Sequence, residues 1–290
     1  MRSLPRPSRA RAASLGAALA LCLSACAAGP GSDPGSDPSA AGAASQAPGE
    51  PERLVAVEQE RYPFDATSFT QGLEVAPDGD LYVSTGQWGE SRVYRGPVGG
   101  AQVASQSIAP ALFGEGITLV DDFLWQLTWQ DHTAFKRDAR TLEETDRATY
   151  DGEGWGICYR KGAGEVIFSD GSAQLRRMDP DTLAERERFT VTENGRPVAG
   201  LNELECVGDN VYANIFTTTD IVRIDARTGE VTARIDASGL ANNAQPDPNN
   251  VLNGIAHVPG SGEAGGESGE FYLTGKRWPD LYRVTFEPVG

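Results

Sequence analysis

The strongest constraint on the fold is a repeat of strand-length segments along the chain. In each segment, an apolar residue stands two positions after a variable polar or aromatic one. The aligned segments are FTQGLEV (69–75), FGEGITL (113–119), GWGICY (154–159), LNELECV (201–207) and LNGIAHV (252–258). Each is followed by a turn signal, a second apolar run and then a run that mixes basic and hydrophobic residues. Strands separated by Asp/Gly turns, with almost no helical periodicity, predict an all-β protein.

The spacing of the repeats predicts a β-propeller. The variable positions Gln71, Glu115, Trp155, Asn202 and Asn253 follow one another at intervals of 44, 40, 47 and 51 residues. Residues 53–290 divided among the segments give about 48 residues per unit, the size of a four-stranded blade with its connections. We therefore predict a five-bladed β-propeller. LVAVEQERYPF (54–64) precedes the first unit, and we expect it to close the ring as the outer strand of the last blade.

The N-terminal segment has the pattern of an export signal. Residues 1–25 contain four arginines followed by an apolar run that is too short for a permanent membrane helix. The sequence LSAC ending at Cys26 resembles a bacterial lipobox, which predicts lipidation of Cys26; an ordinary cleaved signal is the alternative. Residues 26–52 are rich in Ala, Gly, Ser and Pro and predict a flexible linker. We expect residues 53–290 to form the extracytoplasmic propeller domain, anchored to the cell membrane as a lipoprotein.

The charge of the chain argues against a nucleic-acid partner. The formal net charge is −16, and removing the four leader arginines gives −16 − 4 = −20. No basic cluster remains that could neutralise phosphates. We expect a monomer whose contact with the membrane is limited to the lipid anchor.

The predicted folded part contains two cysteines, Cys158 and Cys206. Disulfides persist outside the cytoplasm, so a pair there favours a bridge over two free thiols. The two residues stand one position apart in register in neighbouring repeats, so their side chains should face each other between the third and fourth units. We predict a Cys158–Cys206 disulfide.

The variable position of the repeat indicates a functional site. In a propeller, the innermost strands begin around the central channel, so these five residues should share one rim. If the repeat served only the fold, equivalent positions should carry similar residues. This position instead holds one acid, one aromatic residue and three amides. Where the second strands return to the same face, Trp129, Phe216 and Lys276 join them. The result is a funnel suited to a small polar ligand with an apolar or extended remainder.

Several chemistries lack the residues they need. The chain has two histidines, in different units, so a multi-histidine zinc site is not predicted, and no metal or cofactor is expected. No GxSxG elbow, P-loop or dinucleotide motif is present. Glu203 and Glu205 lie near the rim and raise the possibility of glycoside hydrolysis. However, Glu203 occupies the position held by glycine in the other repeats, which indicates a local structural task.

The ordered motifs resemble those of the plant- and bacterial-type glutaminyl-peptide cyclotransferases, or glutaminyl cyclases. The motifs are FTQGL, FGEGITL, the GWG segment, NELE, ANIF, LNGIA and TGKRWPDLYRV, and they extend from about Tyr62 to Val284. The resemblance implies a five-bladed propeller that cyclises an N-terminal glutamine to pyroglutamate and releases ammonia without a metal. The partner would then be a peptide or protein with an N-terminal glutamine.

The resemblance also implies roles for particular residues. Glu115 matches the family's catalytic acid. Substrate-binding positions match Phe69, Gln71, Phe113, Trp129, Trp155, Asn202 and Lys276. Two positions depart from the family: Phe216 stands where the family usually has Trp, and Val83 stands where it commonly has Glu before the STG motif. Phe216 keeps an apolar face for the substrate but lacks an indole N–H.

A proton shuttle explains why an acid would stand in an apolar hairpin. Cyclisation needs a neutral α-amine, and the departing nitrogen must gain a proton. Phe113 and Trp129 should partly desolvate Glu115 and raise its pKa toward the working range. The competing interpretation is a non-enzymatic propeller lipoprotein that binds a peptide or small ligand in the same funnel.

Overall fold

The computed structural model describes residues 49–262 and 269–289, and within these ranges the protein is built from β-strands without a helix. The prediction of an all-β protein is therefore confirmed. The described residues contain no helix long and apolar enough to cross a membrane. The predicted signal peptide, Cys26 and most of the linker lie outside the described residues.

Each aligned segment of the repeat forms the first strand of a set of antiparallel strands. The first set comprises β2 (Thr70–Val75), β3 (Asp80–Thr85), β4 (Arg92–Pro97) and β5 (Ala104–Ser107). The second comprises β6 (Gly114–Val120), β7 (Phe123–Thr128), β8 (Thr133–Asp138) and β9 (Glu144–Thr149). The third comprises β10 (Ile157–Arg160), β11 (Glu165–Ser169), β12 (Gln174–Met178) and β13 (Glu185–Thr190). These three sets are separate four-stranded sheets in chain order.

The remaining long strands form one eight-stranded sheet. It contains β16 (Leu201–Val207), β17 (Asn210–Ile215), β18 (Asp220–Asp225), β19 (Val231–Asp236), β20 (Leu252–His257), β21 (Glu270–Gly275) and β22 (Asp280–Pro288). The N-terminal strand β1 (Glu52–Pro63) joins it, pairing antiparallel with β22 and parallel with β19. A short hairpin of β14 (Thr192–Glu193) and β15 (Arg196–Pro197) precedes β16.

The first strands of the sets pack against one another. Strand β2 contacts β6, β6 contacts β10, β10 contacts β16, β16 contacts β20, and β20 contacts β2. Glycine permits this approach: a Cβ on Gly156 would lie 2.0 Å from the carbonyl oxygen of Asn202, and one on Gly72 would lie 2.6 Å from the amide nitrogen of Ile117. At the equivalent position, β16 carries Glu203, which is buried. Apolar clusters fill the space between neighbouring sets.

A disulfide joins two of these first strands. Cys158 on β10 and Cys206 on β16 are bonded, with a Cα–Cα distance of 5.4 Å. The predicted bridge is therefore confirmed. Both residues belong to an apolar cluster that includes Ile167 and Leu204. The bond thus links the third sheet to the eight-stranded sheet through a buried core.

Candidate active site

One cavity collects the side chains predicted from the sequence to bind or transform a ligand. Its volume is about 320 Å³. It is lined by Phe69, Gln71, Phe113, Glu115, Trp129, Trp155, Asn202, Phe216 and Lys276. Every strand set contributes at least one lining residue, from its first or second strand or from a position beside one of them in the chain. The cavity therefore belongs to no single sheet.

The strand ends explain why these residues meet. Gln71, Glu115 and Asn202 are the second residues of β2, β6 and β16. Trp129 follows the last residue of β7, and Lys276 follows the last residue of β21. Because first and second strands are antiparallel, the start of one and the end of the other lie at the same edge of a sheet.

Glu115 lies at the end of a buried hydrogen-bond chain. Its carboxylate accepts a hydrogen bond from Gln71 Nε2 at 3.1 Å. The side-chain oxygen of Gln71 in turn accepts one from Asn253 Nδ2 at 3.2 Å, and the same nitrogen donates to the carbonyl of Thr70 at 3.0 Å. Asn253 thereby sets the orientation of the Gln71 amide, so that its N–H group points to Glu115.

The surroundings of Glu115 favour its protonated form. The side chain is only 5% exposed, and burial raises its pKa well above the ordinary value. The positive charge of Lys276 opposes this increase, and the negative charge of Glu153 adds to it. Burial lowers the pKa of Lys276 to about 8, although the charge of Glu115 works in the opposite direction. Burial therefore shifts the two pKa values in opposite directions, upward for Glu115 and downward for Lys276.

Aromatic rings form the walls of the cavity. The rings of Phe69 and Phe113 meet edge to face at 6.2 Å, and Phe113 meets Trp129 at 5.7 Å. On another side, Trp155 meets Phe216 at 5.2 Å. Such edge-to-face contacts stabilise a fixed arrangement of rings.

Lys276 completes the cavity beneath two of these rings. Its ammonium lies 4.9 Å from the ring centre of Phe69 and 5.0 Å from that of Phe216. Cation–π attraction holds the charge there, although the side chain is almost fully buried. The cavity therefore contains one carboxylate, one ammonium group and two amides within an aromatic enclosure.

Two residues at this site were missed in the sequence. Trp88, in the connection between β3 and β4, is 58% exposed and packs on Phe113 and Trp129 with ring distances of 5.1 and 5.9 Å. Glu153 binds the indole groups of Trp129 and Trp155. Trp88 lies outside the aligned segments, so the repeat gave no signal for it. Glu153 stands two positions before a rim residue in GEGWG, and that proximity is the signal that could have identified it.

Two other acids near the rim bind backbone amides and do not belong to the cavity. The carboxylate of Glu203 accepts hydrogen bonds from the backbone amides of Leu73 at 3.1 Å and Ile255 at 2.8 Å. Glu205 accepts one from the backbone amide of His257 at 3.1 Å. Both carboxylates therefore serve the packing of first strands, as expected for Glu203, and neither lines the cavity.

The departures at positions 83 and 216 have different consequences. Val83 is fully buried and packs with Leu73 and Leu81 in an apolar cluster, so it does not line the cavity. Phe216 does line it. Among residues 49–262 and 269–289, no group of three or more His, Cys, Asp or Glu side chains is arranged to hold a metal ion.

Comparisons with known proteins point to one family. Residues 34–286 match the family model described as glutamine cyclotransferase. The chain is 34% identical over 235 residues to the glutaminyl-peptide cyclotransferase of Arabidopsis thaliana, a match that covers 79% of this chain and 70% of that protein. It is also similar to the crystal structure of Myxococcus xanthus glutaminyl cyclase, with a TM-score of 0.75, 34% identity, and coverage of 83% of this chain and 100% of that one.

Proposed function

Because the chain belongs to the glutamine cyclotransferase family, we propose that it cyclises the N-terminal glutamine of peptides or proteins to pyroglutamate and releases ammonia. The observation that carries this proposal is the position of Glu115. It is a buried carboxylate in an aromatic cavity, and its pKa is raised well above the ordinary value by burial. A carboxyl group with a raised pKa can act both as the base that takes up a proton and as the acid that delivers it.

The proposed reaction is an intramolecular aminolysis. The neutral α-amine attacks the side-chain carboxamide carbon, and a C–N bond forms that closes the five-membered ring. Glu115 as carboxylate takes a proton from the attacking nitrogen. Glu115 as acid then delivers it to the departing nitrogen, the original C–N bond breaks, and ammonia leaves. One proton moves from one nitrogen to the other, so the residue ends in the state in which it began.

The other cavity residues would hold the substrate in the pose that reacts. Gln71 and Asn202 present amides that can bind the substrate's amine and carboxamide, and the aromatic rings favour a folded side chain. Lys276 can bind the peptide carbonyl or stabilise the negative charge that develops on the carboxamide oxygen. We propose that no metal takes part, because the cavity offers one carboxylate and neither histidine nor thiolate as a ligand.

We also propose that the fold is a five-bladed propeller closed by β1. The support is the four-strand pattern of the separate sheets, the contact of β20 with β2, and the pairing of β1 with β22. The eight-stranded sheet would then be two blades joined where β1 runs beside β19. In this arrangement the cavity lies at one mouth of the central channel.

The proposed cellular setting follows from the N-terminal sequence. We propose an extracytoplasmic, monomeric lipoprotein with Cys26 as its acylated first residue and residues 26–52 as a tether. Mass spectrometry of the mature N-terminus tests this proposal. A diacylglyceryl or triacyl mass on Cys26 supports it, and an unmodified N-terminus contradicts it.

The test of the function is ammonia release from Gln-Ala and longer Gln-peptides, with matched loss of primary amine. Wild type should form both products in equal amounts. Glu115→Gln should lower kcat by about 100-fold or more, because general acid–base catalysis contributes on this scale. Glu74→Gln is the matched control, since Glu74 is a partly buried carboxylate with a raised pKa that does not line the cavity.

The same experiment distinguishes the competing function. A binding protein would hold a Gln-peptide, measurable by calorimetry, but would release no ammonia from it. Activity of Glu115→Gln close to that of wild type would contradict the assigned role of Glu115 and leave the activity to another residue.

A further inference from the structure

A single carboxylate binds both tryptophans of the cavity wall. Glu153 Oε2 accepts hydrogen bonds from Trp129 Nε1 at 2.8 Å and from Trp155 Nε1 at 2.9 Å. Its other oxygen accepts one from Gln130 Nε2 at 2.8 Å. Trp129 follows β7 of the second sheet, whereas Trp155 precedes β10 of the third. One side chain therefore joins aromatic groups from two sheets.

The backbone around Glu153 is held as well. The amide of Gly154 donates to the carbonyl of Trp129 at 2.9 Å, and the amide of Trp155 donates to the carbonyl of Ser169 at 3.1 Å. A Cβ at position 154 would lie 2.8 Å from the carbonyl oxygen of Thr128, so the segment can approach β7 this closely only with glycine there. The carboxylate thus acts from a fixed position.

The hydrogen bonds keep Glu153 charged. Partial burial works to raise its pKa, but the bonds from Gln130, Trp155 and Trp129 outweigh burial and lower it, against a small opposing effect of Asp170. Charge-assisted bonds of this kind are stronger than bonds between neutral groups. Glu153 therefore remains ionised near neutral pH.

We propose that Glu153 is a positioning residue for the reaction proposed above: its carboxylate fixes both indole rings of the cavity and adds a permanent negative charge to the cavity wall. The inference rests on the proposed function. Two consequences follow. Without the carboxylate, the rings lose their common anchor and bind the substrate less well. Without its charge, Glu115 ionises at a lower pH.

The charged groups around Glu115 determine how its pKa should respond when Glu153 loses its charge. Lys276 favours the carboxylate form of Glu115, whereas Glu153 disfavours it. The phenol of Tyr150 is also affected by Glu115, and burial raises its pKa to about 12, so it stays neutral in the working range. Removing the charge of Glu153 leaves Lys276 as the dominant charged neighbour, and the pKa of Glu115 should fall.

A test that does not depend on activity is NMR of the full chain. With ¹⁵N-tryptophan, Glu153→Gln and Glu153→Ala should both shift the indole N–H signals of Trp129 and Trp155. With carboxyl-labelled glutamate, Glu153→Gln should lower the titration midpoint of Glu115 by about half a pH unit or more. Signals are assigned with Glu115→Gln and with Phe substitutions of each tryptophan. The matched control is Asp131→Asn, which removes an exposed carboxylate two residues beyond Trp129.

Kinetics provide the second readout. Glu153→Ala should lower kcat/KM by about 10- to 100-fold through misplacement of the substrate. Glu153→Gln should lose less and should shift the acid limb of the pH profile downward. Unchanged indole signals, or an unchanged Glu115 midpoint in Glu153→Gln, would overturn the inference. A wild type that releases no ammonia would contradict the proposed function alone, because the NMR result stands without it.

Discussion

At the scale of single residues, the site is organised by side chains that act on Glu115 through others. Asn253 orients Gln71, and the amide of Gln71 then contacts the carboxylate. Lys276 acts at longer range, through its charge. Burial is the largest influence on the protonation of this acid, and the charges of Lys276 and Glu153 modify it in opposite directions. Substitutions at these neighbours should therefore be visible in the pH dependence of the reaction.

Lys276 should determine the alkaline side of that dependence. Its pKa is lowered to about 8 by burial, so its positive charge is present below this pH and is lost as pH rises through it. If Lys276 stabilises the developing oxyanion, kcat for Gln-Ala should fall above about pH 8.

The variant that checks this is Lys276→Arg, because a guanidinium stays protonated throughout the range. Its kcat should be lower than that of wild type but should not fall between pH 8 and 10. A fall at the same pH in both proteins would show that another group causes the alkaline limb.

At the scale of elements, the site depends on how strand ends and connections fit together. Trp155 can occupy the cavity wall because position 171 is a glycine: its φ is +78°, and a Cβ there would lie 2.7 Å from the indole ring. The strands that carry the cavity are also joined covalently. The Cys158–Cys206 bond links β10 to β16. Trp155 shortly precedes β10, and Asn202 lies in β16.

Removal of this bond should lower stability more than activity. The Cys158→Ser/Cys206→Ser variant should unfold in urea with a free energy about 2 to 4 kcal/mol below that of wild type, because the crosslink restricts the unfolded chain. Ammonia release should be nearly unchanged under native conditions, since the two residues lie in an apolar cluster away from the cavity.

Titration of free thiols provides a second test of the Cys158–Cys206 bond. Unfolded wild type should show no free thiol at positions 158 and 206 until a reductant is added. Two reactive thiols in the unreduced protein, or equal stability of the two proteins, would contradict the prediction.

At the scale of the whole molecule, buried and partly buried acids lie where the first strands meet. Glu203 accepts hydrogen bonds from the backbone amides of Leu73 on β2 and Ile255 on β20. Glu74 on β2 accepts hydrogen bonds from the Thr118 hydroxyl at 3.1 Å and from the backbone amide of Leu119 at 3.2 Å, both on β6. Glu74 connects the consecutive first and second sets, whereas Glu203 also connects β16 to β2, 130 residues away in the chain. Burial raises the pKa of each, so ionisation of these groups is less favourable in the folded protein than in the unfolded chain.

The raised pKa values should make stability fall with increasing pH. Burial raises the pKa of Glu74 to about 7, against opposing bonds from Leu119 and Thr118. Below pH 4.5 the group is protonated in both the folded and unfolded chain; between 4.5 and 7 it ionises only in the unfolded chain, which is thereby favoured. Glu74→Gln should remove this loss.

Urea unfolding at pH 4.5 and pH 8 measures the effect. Relative to wild type, Glu74→Gln should gain about 3 kcal/mol of unfolding free energy between the two values. The control Glu90→Gln removes an exposed carboxylate and should show no such gain. A gain of equal size in both variants, or in neither, would contradict the role of Glu74.

The sequence by itself determined the strands, their grouping and most of the cavity lining. Alternating hydrophobicity and turn residues are local signals, and the repeat places Gln71, Glu115 and Asn202 at equivalent strand ends. Glu115 could be singled out for a functional hypothesis because its counterparts are amides and an aromatic residue. The cysteine pair was likewise readable from register.

Only the tertiary structure decided which contacts these residues make. Glu203 reaches partners 130 and 52 residues away, and Trp88 packs on Phe113 and Trp129 from the connection between β3 and β4, outside the aligned segments. Glu153 binds two indoles from different sheets. A repeat shows which positions are equivalent, but side-chain contacts between units depend on how closely the strands approach. That distance is a property of packing in three dimensions, and it gives the buried acids their bonds and Glu115 its raised pKa.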